Sequence, residues 1–97
     1  MMKPVRFLQP AEFEMLDAAR YYELRQHGLG ADFLDEIDSA IADIQANPGH
    51  CPIGKHSIRK KVLSRFSYVL LYREDQVEII IQAVMHTSRR PGYWYGR

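Results

Sequence analysis

Cysteine occurs once in this chain, at Cys51, so no internal disulfide and no cysteine-rich zinc site can be assembled. No apolar run approaches the roughly 20 residues needed to cross a bilayer, so no membrane span is expected. Residues 1–10 carry neither the apolar stretch nor the small-residue cleavage site of a secretion signal, which makes the cytoplasm the expected compartment. The sequence contains no internal repeat, low-complexity tract or linker, and residues 1–97 read as one domain with one modest core. His27, His50 and His56 fall in expected loops at irregular spacing, so no metal and no cofactor is assigned. A last absence is local: no acidic residue lies between Asp43 and Glu74.

That gap reflects a polarity that the formal net charge of +1 conceals. Residues 1–54 hold four basic and nine acidic side chains, a net of −5; residues 55–97 hold nine basic and three acidic, a net of +6. A domain divided in this way points to a basic working face that meets phosphate or an acidic partner.

The hydrophobic pattern changes period between the two halves. Val5 to Leu8 is short and apolar-rich and reads as a strand. Pro10 suits the first position of a helix, with Glu12, Glu14 and Asp17 at its positive end. Met15, Ala19 and Tyr22 then recur at helical spacing as far as about Gln26. "HGLG" (27–30) breaks the helix, and a second begins near Ala31 with Phe33, Ile37, Ala40, Ile41 and Ile44 on one face. "NPGHCP" (47–52) ends it. Residues 57–63, 68–73 and 77–85 are β-branched and aromatic, with short turns between them. The expected fold is α+β in the order β-α-α-β-β-β. A helical hairpin packs on one face of a small, mostly antiparallel sheet, and the N-terminal strand is added at the edge.

Strand alternation sorts the side chains by face. Val77, Ile79, Ile81, Ala83 and Met85 form an apolar set expected to face the helices, which sends Gln82 and His86 to the open face. If Ile58 and Val62 pack inward, Arg59, Lys61 and Arg65 join His86 there. Pro91-Gly92 reads as a turn that brings Trp94 back beside His86, Arg89 and Arg90. Tyr93, Trp94 and Tyr95 suit either core capping or base stacking; Tyr21, Tyr22 and Phe33 suit the helix–sheet core or a contact within the hairpin.

Four stretches carry a family resemblance: "AARYYE" (18–23), "GLGADFLDEIDSAIADIQANP" (28–48), "SRFSYVLLYR" (64–73) and "AVMHTSRRPGYWYGR" (83–97). Together they resemble the RelE/ParE toxins of type II toxin–antitoxin systems over nearly the whole chain. The resemblance implies the fold described above and a role in plasmid stabilisation or growth control. It also implies a cognate antitoxin, a toxin–antitoxin hetero-oligomer, and a target in translation or DNA topology. ParE-like members inhibit DNA gyrase; RelE-like members cleave mRNA on the ribosome. A non-toxic binding module of the same fold is a third reading.

Metal-free RNA cleavage needs a base for the 2′-hydroxyl, cations for the developing phosphorane charge and an acid for the leaving oxygen. His86 is the candidate base or acid. Arg65 with Arg89 or Arg90 would hold the phosphate. Arg59, Lys60 and Lys61 would contact the backbone, and Tyr93 or Trp94 would stack a base. The sequence supplies no carboxylate near His86 to complete such a set, and the tail is longer and more aromatic than the family pattern. Inhibition of gyrase without catalysis is therefore the favoured expectation.

Overall fold

In the computed structural model, which describes residues 2–97, the first half of the chain is mainly helical and the second half is sheet. Strand β1 (Val5–Phe7) leads into helix α1 (Gln9–Arg25), with Pro10 in the first turn, where its missing N–H costs nothing. Helix α2 (Leu29–Ala46) follows at once, starting two residues ahead of the sequence expectation. Gly28 makes the reversal with φ +87°, a left-handed conformation open to glycine. Glu23 secures it by accepting hydrogen bonds from the N–H groups of Gly28 (3.0 Å) and Gly30 (3.1 Å). Those bonds hold its carboxyl below the usual range. Gly30 is where the helices touch: a Cβ there would stand 2.6 Å from the carbonyl oxygen of Ala19.

Strands β2 (Arg59–Val62), β3 (Tyr68–Glu74) and β4 (Ile79–His86) form an antiparallel meander. The strand β1 lies parallel to β4 at the edge, so the sheet order is β1-β4-β3-β2. Asp75 shapes the β3–β4 turn by accepting from the N–H groups of Val77 and Glu78, each at 2.8 Å. The chain thus adopts the expected β-α-α-β-β-β order.

Both helices cover one face of the sheet. Phe33, Ile37 and Ile44 of α2 and Ala11, Ala18 and Ala19 of α1 pack over Leu70, Tyr72, Ile79, Ile81 and Val84. Tyr22, Phe33, Phe66 and Tyr68 build an aromatic cluster at one end of this core, with ring centroids from 4.8 to 6.1 Å apart. Tyr22 and Phe33 are therefore core residues, whereas Tyr21 is exposed. The opposite face has a smaller core of its own, made by Ile58, Val69, Leu71, Ala83, Met85 and Trp94. The central strands β3 and β4 are buried on both sides, which explains their nearly unbroken apolar sequences.

Two facial assignments expected from alternation are corrected here. Along β4 the expected set faces the helices only through Ile81. Leu71 pairs with Ala83 and Tyr72 with Ile81, so Gln82 is an extra residue without a partner, a β-bulge. Beyond it the faces exchange. Val84 joins the helix-side core, while Ala83 and Met85 join the core on the other face. His86 consequently lies on the helix side, beside Tyr68 and α1, and not on the open face.

The strand β2 is inverted as well. Arg59 pairs with Tyr72 and Lys61 with Leu70, both helix-side residues, while Ile58 packs with Trp94 on the other face and Val62 is exposed. The expectation treated the second face as open to solvent. Its own apolar core takes Ile58, and the basic side chains turn to the helix side.

Phe33 is fully buried and touches three aromatic rings, so its removal leaves a cavity that the rigid cluster cannot close. Phe33→Ala is expected to lower unfolding free energy by about 3–5 kcal/mol, measured by urea denaturation followed by circular dichroism.

Candidate functional site: the basic strand, the C-terminal strap and the His86 cleft

The basic residues of β2 and the following loop are held against α2 and the loop after it. Arg59 donates to the carbonyl oxygens of Cys51 (2.6 Å) and Gly49 (3.3 Å). Lys61 reaches Asp43 at 3.3 Å and Arg65 reaches Asp32 at 3.7 Å. Glu36 accepts from the N–H groups of Ser64 (2.7 Å) and Arg65 (3.0 Å), fixing the loop before β3. The acid-free stretch is thus matched to the acidic face of α2. Lys60 differs from its neighbours: it projects to the other face, where it lines an apolar pocket with Ile58, Trp94 and Tyr95.

After β4 the chain turns back across the sheet as a strap. Trp94 is 6% exposed and caps the second core, so it is not free for stacking on a base. Tyr95 packs against Trp94 and against His56, with centroids at 4.4 and 4.6 Å. Gly92 supports the turn with φ +94°, in close contact with the Tyr95 ring.

The far end of the strap is latched by Glu14 of α1. Arg97 grips its carboxylate with two N–H···O bonds of 2.8 and 3.1 Å, and the Tyr93 hydroxyl donates to it at 2.6 Å. The N–H of Val84 donates to the same carboxylate at 3.1 Å, and Arg97 donates to the carbonyl of Gln82 at 3.3 Å. The cause lies in the sheet edge. Strand β1 pairs only with Ile79, Ile80 and Ile81. Past that point β4 presents unpaired backbone groups, which Glu14 and Arg97 satisfy. Burial alone would raise the Glu14 carboxyl, but the hydrogen bonds from Arg97, Tyr93 and Val84 outweigh it and leave it below the usual range. Burial and the neighbouring carboxylate push the Tyr93 phenol well above its usual value.

The strap also orders one of the paired arginines. The Arg89 guanidinium stacks on the Tyr93 ring at 3.8 Å, and Arg90 is exposed beside it. His86 faces elsewhere. Its Nδ1 lies 3.0 Å from the Ser88 N–H, which donates to it, and 2.7 Å from the Ser88 hydroxyl. Its ring stands edge-on to Tyr68 at 5.2 Å. It opens on a cleft of about 490 Å³ lined also by Asp17, Tyr21, Tyr22, Arg25 and Leu29.

The expected grouping of His86, Arg89, Arg90 and Trp94 is therefore divided. Trp94 is packed on one face of the sheet, His86 borders a cleft on the other, and Arg89 rides on the strap. Arg65 is on the α2 side, paired with Asp32. Among the described residues no three side chains of the metal-binding kinds gather as a possible site.

In the sequence Glu14 reads as a favourable charge at a helix start, and nothing marks a role for Arg97. The pairing of an early-helix acid with the terminal arginine carries no spacing signal, because it is made across the whole chain. Phe13, Leu16 and Leu24, outside the expected sites, are exposed on α1. Their signal was present: they recur on the helix side opposite Met15, Ala19 and Tyr22.

Two helices on one face of a four-stranded sheet, closed by a basic, aromatic strap, define a small toxin-like α+β protein. The pattern describing the ParE toxin of the type II toxin–antitoxin system parDE matches residues 5–91, and the chain belongs to that family. A structure of a chromosomal ParDE toxin–antitoxin system from P. aeruginosa superposes with a TM-score of 0.72 at 19% identity, over 88% of this chain and 96% of that one. At that identity the likeness speaks for the fold. No curated protein matches the sequence. Among the described residues no helix is long and apolar enough to cross a membrane.

The Glu14 latch sets a pH dependence. A carboxyl whose folded pKa is depressed adds stability in full above its unfolded value, near 4.5, and loses it as pH falls through the lower folded value. Trp94 is the sole tryptophan, so its fluorescence reports the strap. It is expected to shift to the red as pH falls below that range, ahead of loss of helical circular dichroism. Glu14→Gln is expected to show the shifted emission already at neutral pH.

Proposed function

We propose that this chain is the toxin of a type II toxin–antitoxin pair that acts in the cytoplasm by binding DNA gyrase, without nuclease chemistry, and that a cognate antitoxin neutralises it in a hetero-oligomer. The observation that carries this reading is the division of the candidate catalytic set. A general base, a phosphate-holding cation and a leaving-group acid must converge within hydrogen-bond reach of one reacting phosphate. Here Arg65 is turned toward Asp32, His86 toward the α1 cleft, and Arg89 toward Tyr93. The sheet face on which such a site was expected is filled by Trp94. Membership of the ParE family supports the same choice.

The working surface in this reading is the rim formed by the strap and its neighbours. Arg89 is held in a fixed pose by Tyr93, Arg90 is exposed beside it, and Lys60 stands by Trp94 and Tyr95. A cation pre-oriented by stacking loses less entropy on docking than a free one. The antitoxin has acidic or extended character in this reading, matching the basic half of the chain, and orders on binding.

Purified protein is expected to inhibit gyrase supercoiling and to accumulate cleaved DNA, while mRNA in a reconstituted translating ribosome stays intact. Ribosome-dependent mRNA cleavage with gyrase untouched would overturn the proposal.

A second expectation separates binding from catalysis. His86→Ala should leave growth inhibition nearly unchanged, whereas a catalytic base would lose about 10²-fold or more in rate. Arg89→Ala combined with Arg90→Ala should abolish inhibition with the fold intact by circular dichroism. Truncation after Ser88 is a poorer test, because it strips Trp94 from the second core.

A further inference from the structure

The outer side of α1 is unusual for an exposed helix. Phe13 is 73% exposed, Leu16 51% and Leu24 79%, on the side turned away from the buried Ala11, Ala18 and Ala19, and Tyr21, 53% exposed, stands at the margin of that side beside the His86 cleft. Scattered apolar residues on a surface need no explanation, but four large ones on one helix face form a patch of the kind that marks an interaction site. Asp17 and Arg20 sit within this patch, both exposed, and among the described residues neither forms an ion pair.

The order of these residues has an internal symmetry. Phe13 and Leu24, Leu16 and Tyr21, and Asp17 and Arg20 all share one midpoint, between Ala18 and Ala19. Glu12 and Arg25, at the margins, share it too. We infer that α1 is a dimer interface, on which a second copy of this chain docks its own α1 antiparallel about a two-fold axis at that midpoint. Antiparallel pairing brings each residue level with its mirror position in the other helix. Phe13 then meets Leu24 of the second copy, and Asp17 meets Arg20 of the second copy. The two-fold repeats both contacts on the other side of the axis. Each of the exposed pairs named holds either two apolar side chains or two opposite charges, and the like-charged pair Glu14 and Glu23 at the same midpoint is engaged within its own chain, by Arg97 and Tyr93 and by the Gly28 and Gly30 N–H groups. A parallel pairing in register would set Asp17 against Asp17 and Arg20 against Arg20, so the charges choose the direction as well as the partner.

The extent of the patch sets the strength. At 1.5 Å per residue the 17 residues of α1 span about 25 Å, room for one helix–helix contact at the small end of specific interfaces. The dimer should therefore dissociate in the roughly micromolar range. The inference does not depend on the target of the toxin.

Sedimentation velocity on the purified free chain, from submicromolar to about 100 µM, tests it. The expected result is a concentration-dependent monomer–dimer equilibrium. Asp17→Arg and Arg20→Asp, each alone, should weaken it by at least about tenfold, since each turns two attractions into two repulsions. Mixing the two variants in equal amounts should restore dimer, because one contact then pairs the two substituted side chains with opposite charges and the other keeps the parent Asp17–Arg20 pair. Both substitutions are on an exposed surface, and unchanged circular dichroism checks that the fold survives. A chain that remains monomeric throughout, single variants that dimerise like the parent, or a mixture that stays monomeric would each overturn the inference.

Discussion

Strand β4 must be buried on both faces and paired on both edges, and much of the rest of the structure answers that requirement. One face is covered by the helical hairpin, the other by the strap with Trp94 at its centre. One edge is paired with β3 along its length except at the Gln82 bulge; the other is paired with β1 only as far as Ile81. The remaining length is completed by side chains, with the Glu14 carboxylate accepting from the Val84 N–H and Arg97 donating to the Gln82 carbonyl. An unsatisfied backbone group in this position would cost on the order of 1–3 kcal/mol. The strap is thus a structural part of the sheet as well as an exposed basic surface.

The bulge at Gln82 follows from the same requirement and has the larger effect on chemistry. One extra residue exchanges the faces of everything after it, which takes His86 from the strap side to the α1 side. It leaves the Gln82 side chain buried under the strap, its Nε2 donating to the Trp94 carbonyl at 3.4 Å, while its Oε1 and the Trp94 Nε1 have no hydrogen-bond partner among the described residues. The separation of His86 from the arginines is therefore a property of the backbone register.

The charge polarity has two outlets. Part of the basic half is spent inside the molecule, on Asp32, Asp43 and the carbonyls after α2, where exposed pairs contribute little individually, about 0–1 kcal/mol each. Of the rest, Arg97 is held by Glu14, while Arg89, Arg90 and Lys60 stand on or beside the strap, facing outward. Acidic α2 and basic β2 thus fit each other on the helix side, and the remaining exposed positive charge lies on and beside the strap.

Local rules determined most of the fold in advance. Helical spacing, the glycine break at Gly28 and the Pro48 stop delimited the hairpin, and the three β-rich runs ordered the meander, because propensity and periodicity act over a few residues at a time. The similarity of four stretches to a toxin family was legible for the same reason. Three features were decided only by tertiary structure: the bulge at Gln82, the inward capping by Trp94, and the latch between Glu14 and Arg97. Each joins residues far apart in the chain or turns on a single-residue slip, and alternation has no means of detecting a slip that leaves both faces apolar. Ile79, Ile81, Ala83 and Met85 looked like one face because each is apolar. Only the second core, built from the tail, determined that the last two belong to the other.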